Sequence, residues 1–273
     1  MDVQELIERY HRGETNFQKV DLQGQTLGKI NLSRINLKEA DLRDVNLVDC
    51  ILPQANLKEA NLTNAIIQGN LKEVNLIQAN LTAANLEKSD LTDSSLRNAI
   101  LTETNFSYAI LTCSLLHDSN LKKANLSHAK MLNCLLSRAN LTDANLQGAN
   151  LQGANLTNAI LMNANLEGAN LSLSQMNGVN GVGIIAPHAN FSHANLSGGN
   201  FANGNFENSN FYDSVMIWSS LKMTNFSHAN LSGAKLSWSN FTRSNLTKAN
   251  LVNANISQVN FELANLEEIV IKE

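Results

Sequence analysis

From Asn16 to Ile271 a large apolar residue, most often Leu or Phe, recurs at every fifth position. Two places before it stands a small residue, usually Ala, Ser, Val or Cys; the other three positions are mostly polar, and Asn usually occupies the one just before the apolar centre. Ala139-Asn140-Leu141-Thr142-Asp143 and Ala144-Asn145-Leu146-Gln147-Gly148 show the unit cleanly. A period of five fits neither the roughly 3.6-residue turn of a helix nor the alternation of a flat strand, so one copy cannot bury its own apolar face and copies must stack. With centre and small residue turned inward, each unit makes a short extended side followed by a bend, and the chain coils. Four sides would close a coil of about twenty residues. Trp218 and Trp238, Tyr108 and His128, Phe191 and Phe211, and Phe206 and Phe226 all fall twenty apart, as stacked columns require. Spacing alone leaves a three-sided coil open.

Two places depart from the pattern. Between the centres Ile67 and Leu71 the step drops to four, across Gln68-Gly69-Asn70, and Gly69 is expected to absorb the tighter bend. From Asn177 to His188 three glycines gather and Gly181 takes a centre position. The count stays in phase, so a partly irregular coil is expected over 177–188, rather than a loop that leaves and returns. The glycines there lack the G-x-x-x-x-G-K-[ST] arrangement and a following helix, which argues against a phosphate cradle. Ahead of the repeat, Val3, Leu6, Ile7 and Tyr10 share one helical face, Asp2 with Glu5 resembles a capping box, and Gly13 suits a helix end. Residues 1–13 are therefore read as a capping helix over an otherwise open strand edge. Residues 14–273 form the repeat domain, with breaks at 68–70 and 177–188. The segment 267–273 is too short to supply a capping or dimerising helix.

The A-N-L-x-x unit resembles the pentapeptide repeat family over nearly the whole chain. That resemblance implies an all-β fold, a right-handed quadrilateral β-helix, here with a short N-terminal capping α-helix. The opening, a helix ending in Tyr10-x-x-Gly13 before Phe17, is similar to cyanobacterial members, including those linked to heterocyst differentiation. Members share the scaffold and differ in what they bind, so the fold does not by itself set the function.

Composition narrows the rest. A net charge of -4 and a pI of about 5.9 offer no basic field for nucleic acid. Three cysteines, an odd number, sit in a chain too large to need staples; Cys50 and Cys134 take the small-residue position, a packing role suited to a reducing compartment. The N-terminus lacks the cationic start and apolar stretch of a signal peptide, and no apolar run reaches the roughly 20 residues that span a bilayer. A cytoplasmic protein without membrane contact is expected, as a monomer or a weak end-to-end dimer.

No cofactor, metal or catalytic constellation emerges, because a convex coil offers no convergent, water-excluding site. His188 and His228 lie two coils apart, about 10 Å by strand spacing, too far to share a metal. What remains is contact with macromolecules. Apolar residues that replace the usual Asn stand out at Ile100, Ile110, Leu115 and Leu135, the last two expected beside the Tyr108 and His128 column. A second group collects Val215, Ile217, Trp218 and Trp238. Exposed aromatic and branched residues on a polar surface mark candidate binding patches. The reading is a non-enzymatic, regulatory interaction scaffold with an unidentified protein partner. The alternative is a gyrase-binding DNA mimic, the activity that likeness to fluoroquinolone-resistance members would imply. Mimicry needs phosphate-like charge, yet the position before the centre carries Asp only at Asp21, Asp41 and Asp90.

Overall fold

The computed structural model describes residues 1–271 and contains two compact units, Met1–Leu135 and Leu136–Glu273. The last two residues of segment 267–273 lie outside the described residues.

The first unit begins with α1, Val3–His11. Asp2 caps it by accepting the Glu5 amide at 2.8 Å, while the Glu5 carboxylate turns to Arg9, so only half of the capping box forms. Leu6 is fully buried, and the Tyr10 hydroxyl donates to the Ser33 carbonyl at 2.9 Å. The Arg9 guanidinium lies over the Phe17 ring at 5.4 Å. The helix thus covers the first coil, whose centres Phe17, Leu22, Leu27 and Leu32 are buried.

Beyond the helix the repeat sets both backbone and core. Asn36 donates its amide to the Thr15 carbonyl at 2.7 Å and accepts from the Phe17 amide at 2.8 Å, a parallel bridge between residues twenty apart. Bridges at this interval recur on four successive sides, Asn16 to Asn36, Asp21 to Asp41, Thr26 to Asn46 and Asn31 to Ile51, which settles four sides per coil. A turn closed by a bond from the next small residue to the centre, as in Ala40 N–H to Leu37 C=O at 3.1 Å, ends each side. The second residue after each centre is left-handed, for example Glu39 at φ 59° and Asn64 at φ 59°. Such turns favour Gly and Asn, whereas here most residue types occupy them.

The short step at Ile67 is absorbed where β1, Cys50–Ile51, pairs in parallel with β2, Gly69–Asn70. Bridges there span nineteen residues, as in Asn56 to Asn75, and return to twenty from Asn70 to Asp90 onward. Gly69 has φ 153°, and a Cβ on it would run into the Cys50 carbonyl oxygen, so the glycine is required.

The second unit has its own coil of the same kind, from the Asn140–Ile160 bridge to the Asn250–Val270 bridge. The stretch 177–188, expected to be irregular, is regular: Ile160 bridges Asn180, Asn180 bridges Asn200, and Ile185 bridges Asn205. Gly178 and Gly183, at φ 67° and 71°, fall on left-handed turn positions, so they serve the period. Phenylalanines thicken the core beyond this stretch. Phe191 and Phe211 stack at 4.7 Å and 6°, and Phe206 and Phe226 at 5.0 Å and 20°.

The Asn before each centre is half-buried and committed to the backbone. Its Oδ1 accepts the amide two residues on, as from Lys58 to Asn56 at 3.2 Å, and its Nδ2 donates to the Asn one coil earlier, as from Asn56 to Asn36 at 3.0 Å. These Asx turns and lateral ladders satisfy polar groups that each side leaves over.

Candidate functional site

Trp218 and Trp238 both sit two residues after a centre, at the left-handed turn position, with φ 61° and 63°. Their backbones are held by the next coil: Trp218 donates to the Ser237 carbonyl at 3.2 Å and Trp238 to that of Ser257 at 3.1 Å. Coil spacing then fixes the side chains. The indoles stack at 5.0 Å and 7°, yet remain 65% and 51% exposed. Stacking covers one ring face of each, and more than half of each side chain still meets solvent.

The other residues singled out around them differ. Val215 replaces the ladder Asn and bridges Asn195 and Lys235; it is half-buried, as is Ile217 in the turn before Trp218. These two lie on the side of the coil that ends at Trp218 and form no exposed patch of their own.

In the first unit Tyr108 and His128 stack at 5.0 Å and 16° at turn positions, both exposed. Leu115 and Leu135 are bridged and half-buried. They do not join the aromatic column as expected: Tyr108 ends the side centred on Phe106, while Leu115 belongs to the side centred on Leu116, with the side centred on Leu111 between them. A twenty-residue coil puts those two sides opposite each other, so the group is two separate pairs.

Sequence reasoning missed Met223 and Leu263, which are 53% and 69% exposed. Both occupy the left-handed turn position, and with Lys222, Thr242, Arg243 and Glu262 they line a groove of about 460 Å³ on the side that follows the tryptophan turn. The available signal was a large apolar residue at a position that favours Gly or Asn. At the ladder position Ile110, Leu115, Leu135 and Val215 are half-buried, whereas Ile100 is exposed.

Charge elsewhere is largely neutralised in place. Hydrogen bonds from Arg43 hold Asp41 below its ordinary carboxylate range. Burial pushes Asp90 up, but hydrogen bonds from Thr92 and Lys72 outweigh it and keep that carboxyl low as well. Two of the three Asp residues at the ladder position are thus matched with cations, which opposes a phosphate-like stripe. Burial raises the thiol of Cys50, and that of Cys134 to about 12. Among the described residues no group of three or more His, Cys, Asp or Glu side chains is arranged to hold a metal ion, and no helix is long and apolar enough to cross a membrane.

The family model for pentapeptide repeats matches in eight copies, covering among others residues 15–52, 70–107, 99–138, 139–178, 189–227 and 229–267. No curated protein is a significant match. Similar solved structures include HetL, a pentapeptide repeat protein involved in heterocyst differentiation regulation from the cyanobacterium Nostoc sp. strain PCC 7120, at 27% identity, with 99% of this chain and 97% of that one covered and a TM-score of 0.26. Rfr23 from the cyanobacterium Cyanothece 51142 is similar at 26% identity over 44% of this chain and 92% of its own, with a TM-score of 0.28. QnrB1, a plasmid-mediated fluoroquinolone resistance protein, shows 14% identity over 75% of this chain and 94% of its own, with a TM-score of 0.33. The five-residue period, the four-sided coil and the repeated family match agree: the chain belongs to the pentapeptide repeat family, whose fold is the right-handed β-helix.

Proposed function

We propose that this chain is a non-enzymatic, regulatory interaction scaffold that binds a protein partner through the tryptophan-bearing face of its second unit. The observation that carries this reading is the pair of stacked, largely exposed indoles, Trp218 and Trp238, held on a rigid backbone. Large aromatic groups that are already ordered lose little freedom on binding, and such residues anchor interfaces where truncation of one costs about 2 kcal/mol or more. Neither indole is needed to fill the core, and the turn position would accept Gly or Asn with less backbone strain.

The test is the double change Trp218→Ser with Trp238→Ser in the full chain. The melting temperature should stay within about 2 °C of the parent, as surface changes of up to roughly 0.5 kcal/mol imply. A partner captured from the source cell and identified by mass spectrometry should bind the parent at least tenfold more tightly than the variant. Unaltered affinity for every captured protein would refute this assignment, and a large fall in melting temperature would return the indoles to a structural role.

A further inference from the structure

We infer that the partner of this face presents a short extended segment carrying carboxylates beside apolar side chains, and that the segment lies in the groove next to the tryptophans. The inference rests on the scaffold reading above and specifies the chemistry of its partner.

Three observations converge. First, the groove continues the aromatic surface: Trp238 lies two residues before Asn240, which lines the groove, so the indoles stand on the turns that lead into it. Met223 and Leu263 add apolar surface along it, both more than half exposed. Second, its cations are uncommitted. Lys222 and Arg243 in the groove, and Lys235 beside Val215, form no ion pair among the described residues. Many other lysines and arginines of the chain are matched with acids, among them Lys38 with Glu39, Lys58 with Glu59, Arg43 with Asp41 and Lys248 with Glu268. Glu262 is the one acid in the groove lining, so positive charge is in excess here while the whole chain carries -4. Third, the groove crosses three coils, with residues 222–223, 242–243 and 262–263 one above another. At about 4.8 Å per coil its ends are roughly 10 Å apart, which an extended peptide spans with about three residues.

A carboxylate-bearing segment fits this arrangement. Arg243 offers a planar fork that donates two parallel hydrogen bonds to a carboxylate, and Lys222, one coil earlier in the neighbouring column, offers a mobile point charge. Apolar side chains flanking the acid would meet Met223 or Leu263 on one side and the indoles on the other. Nucleic acid fits less well, because the groove lining holds two cations where a polyanion needs a row of them, and the chain's net charge of -4 would oppose it.

The experiment is selection of random twelve-residue peptides on phage against the full folded chain, followed by fluorescence polarisation with the selected peptides. Enrichment of Asp or Glu next to apolar residues is expected. Binding should weaken at least tenfold in Lys222→Glu with Arg243→Glu, whose exposed positions leave melting unchanged, and selection against that variant should instead enrich Lys or Arg. Peptides without acidic enrichment, indifference to the charge reversal, or displacement of the peptides by a twenty-nucleotide oligo-dT would overturn the inference. The arms separate the two readings. Binding lost with both tryptophans replaced by Ser but unmoved by charge reversal refutes the acidic segment and keeps the scaffold. Binding indifferent to the tryptophans as well removes both.

Discussion

The space left by the missing side chain of Gly181 is taken by the ring of Phe201, one coil on: a Cβ on the glycine would sit 2.8 Å from Phe201 Cδ1. Gly199 and Gly204 stand in the same relation to Phe201 and Phe206, with ring carbons at 2.8 Å or less from where their Cβ atoms would be. Glycines that look like defects in the repeat are the partners of oversized centres. Restoring the consensus with Gly181→Leu should therefore destabilise the second unit by about 1–3 kcal/mol, the usual cost of overpacking. Adding Phe201→Leu should recover most of that loss. A double-mutant cycle by urea unfolding measures the coupling; simple additivity would mean that the two sites do not share this space.

The inward assignment of centres is tested by neighbours. Leu151 is fully buried and Gln152 is exposed. Leu151→Asp places an unpartnered carboxylate in the core and should cost about 3 kcal/mol or more, whereas Gln152→Asp should stay within about 0.5 kcal/mol. Thermal melting of the two variants gives the comparison, and equal effects would contradict the register.

Asn210 belongs to a ladder. It donates to Asn190 at 3.2 Å, accepts from Asn230 at 3.0 Å, and accepts the Tyr212 amide at 3.1 Å. Asn210→Asp keeps the acceptor but loses the donor, leaving two acceptors face to face, and should cost about 1–3 kcal/mol. Asn203→Asp, at an exposed turn position, should be close to neutral. Chemical denaturation of both variants distinguishes an Asn that is structural from one that is merely polar.

Much of this architecture was legible because a strict period leaves one way to bury a centre and a small residue together. The coil and the capping helix follow from counting, and so, once four sides are given, does the tryptophan stack. Four-sidedness itself needed the bridges, since a column of Phe191 and Phe211 also arises by chance when all centres share a phase. The regular path through 177–188 was hidden because Gly181 reads as a break until Phe201 is placed against it. The ladder role of Asn was recoverable, since Asn accepting the amide two residues on is a known local preference. Without it the half-buried Leu115 and Leu135 read as surface anchors, while Met223 and Leu263, at turn positions, are the more exposed.

The three thiols should separate by environment. Cys50 and Cys134 are buried, with their S–H groups directed to the carbonyls of Leu27 and Leu111, and burial raises both. Cys113 is exposed at a turn. At pH 8 a disulfide reagent such as DTNB should titrate one thiol in the native protein and all three after denaturation, because the thiolate is the reacting form. Cys113→Ser should abolish the native reaction; rapid modification of Cys134 in that variant would show that its coil opens readily.

Acid should loosen the N-terminal cap before the coil. Arg9 donates from two nitrogens to both oxygens of Glu14, and these hydrogen bonds lower the Glu14 carboxyl below its ordinary value. A folded-state value lowered in this way stabilises the cap above the unfolded carboxylate pKa of about 4.3, and the contribution is lost as pH falls through the lowered folded value. Arg9 stays charged throughout and would then face a neutral acid. Hydrogen-exchange protection of α1 should therefore decline below about pH 4.3, corrected for intrinsic exchange, while the amides of Leu22 and Leu27 in the coil keep theirs. Glu14→Gln should lower protection of α1 at neutral pH and flatten its acid dependence, and Tyr10→Phe, which removes the bond to Ser33, should lower protection equally at all pH values. An acid dependence that survives Glu14→Gln would contradict the assignment of the sensitive carboxyl to Glu14.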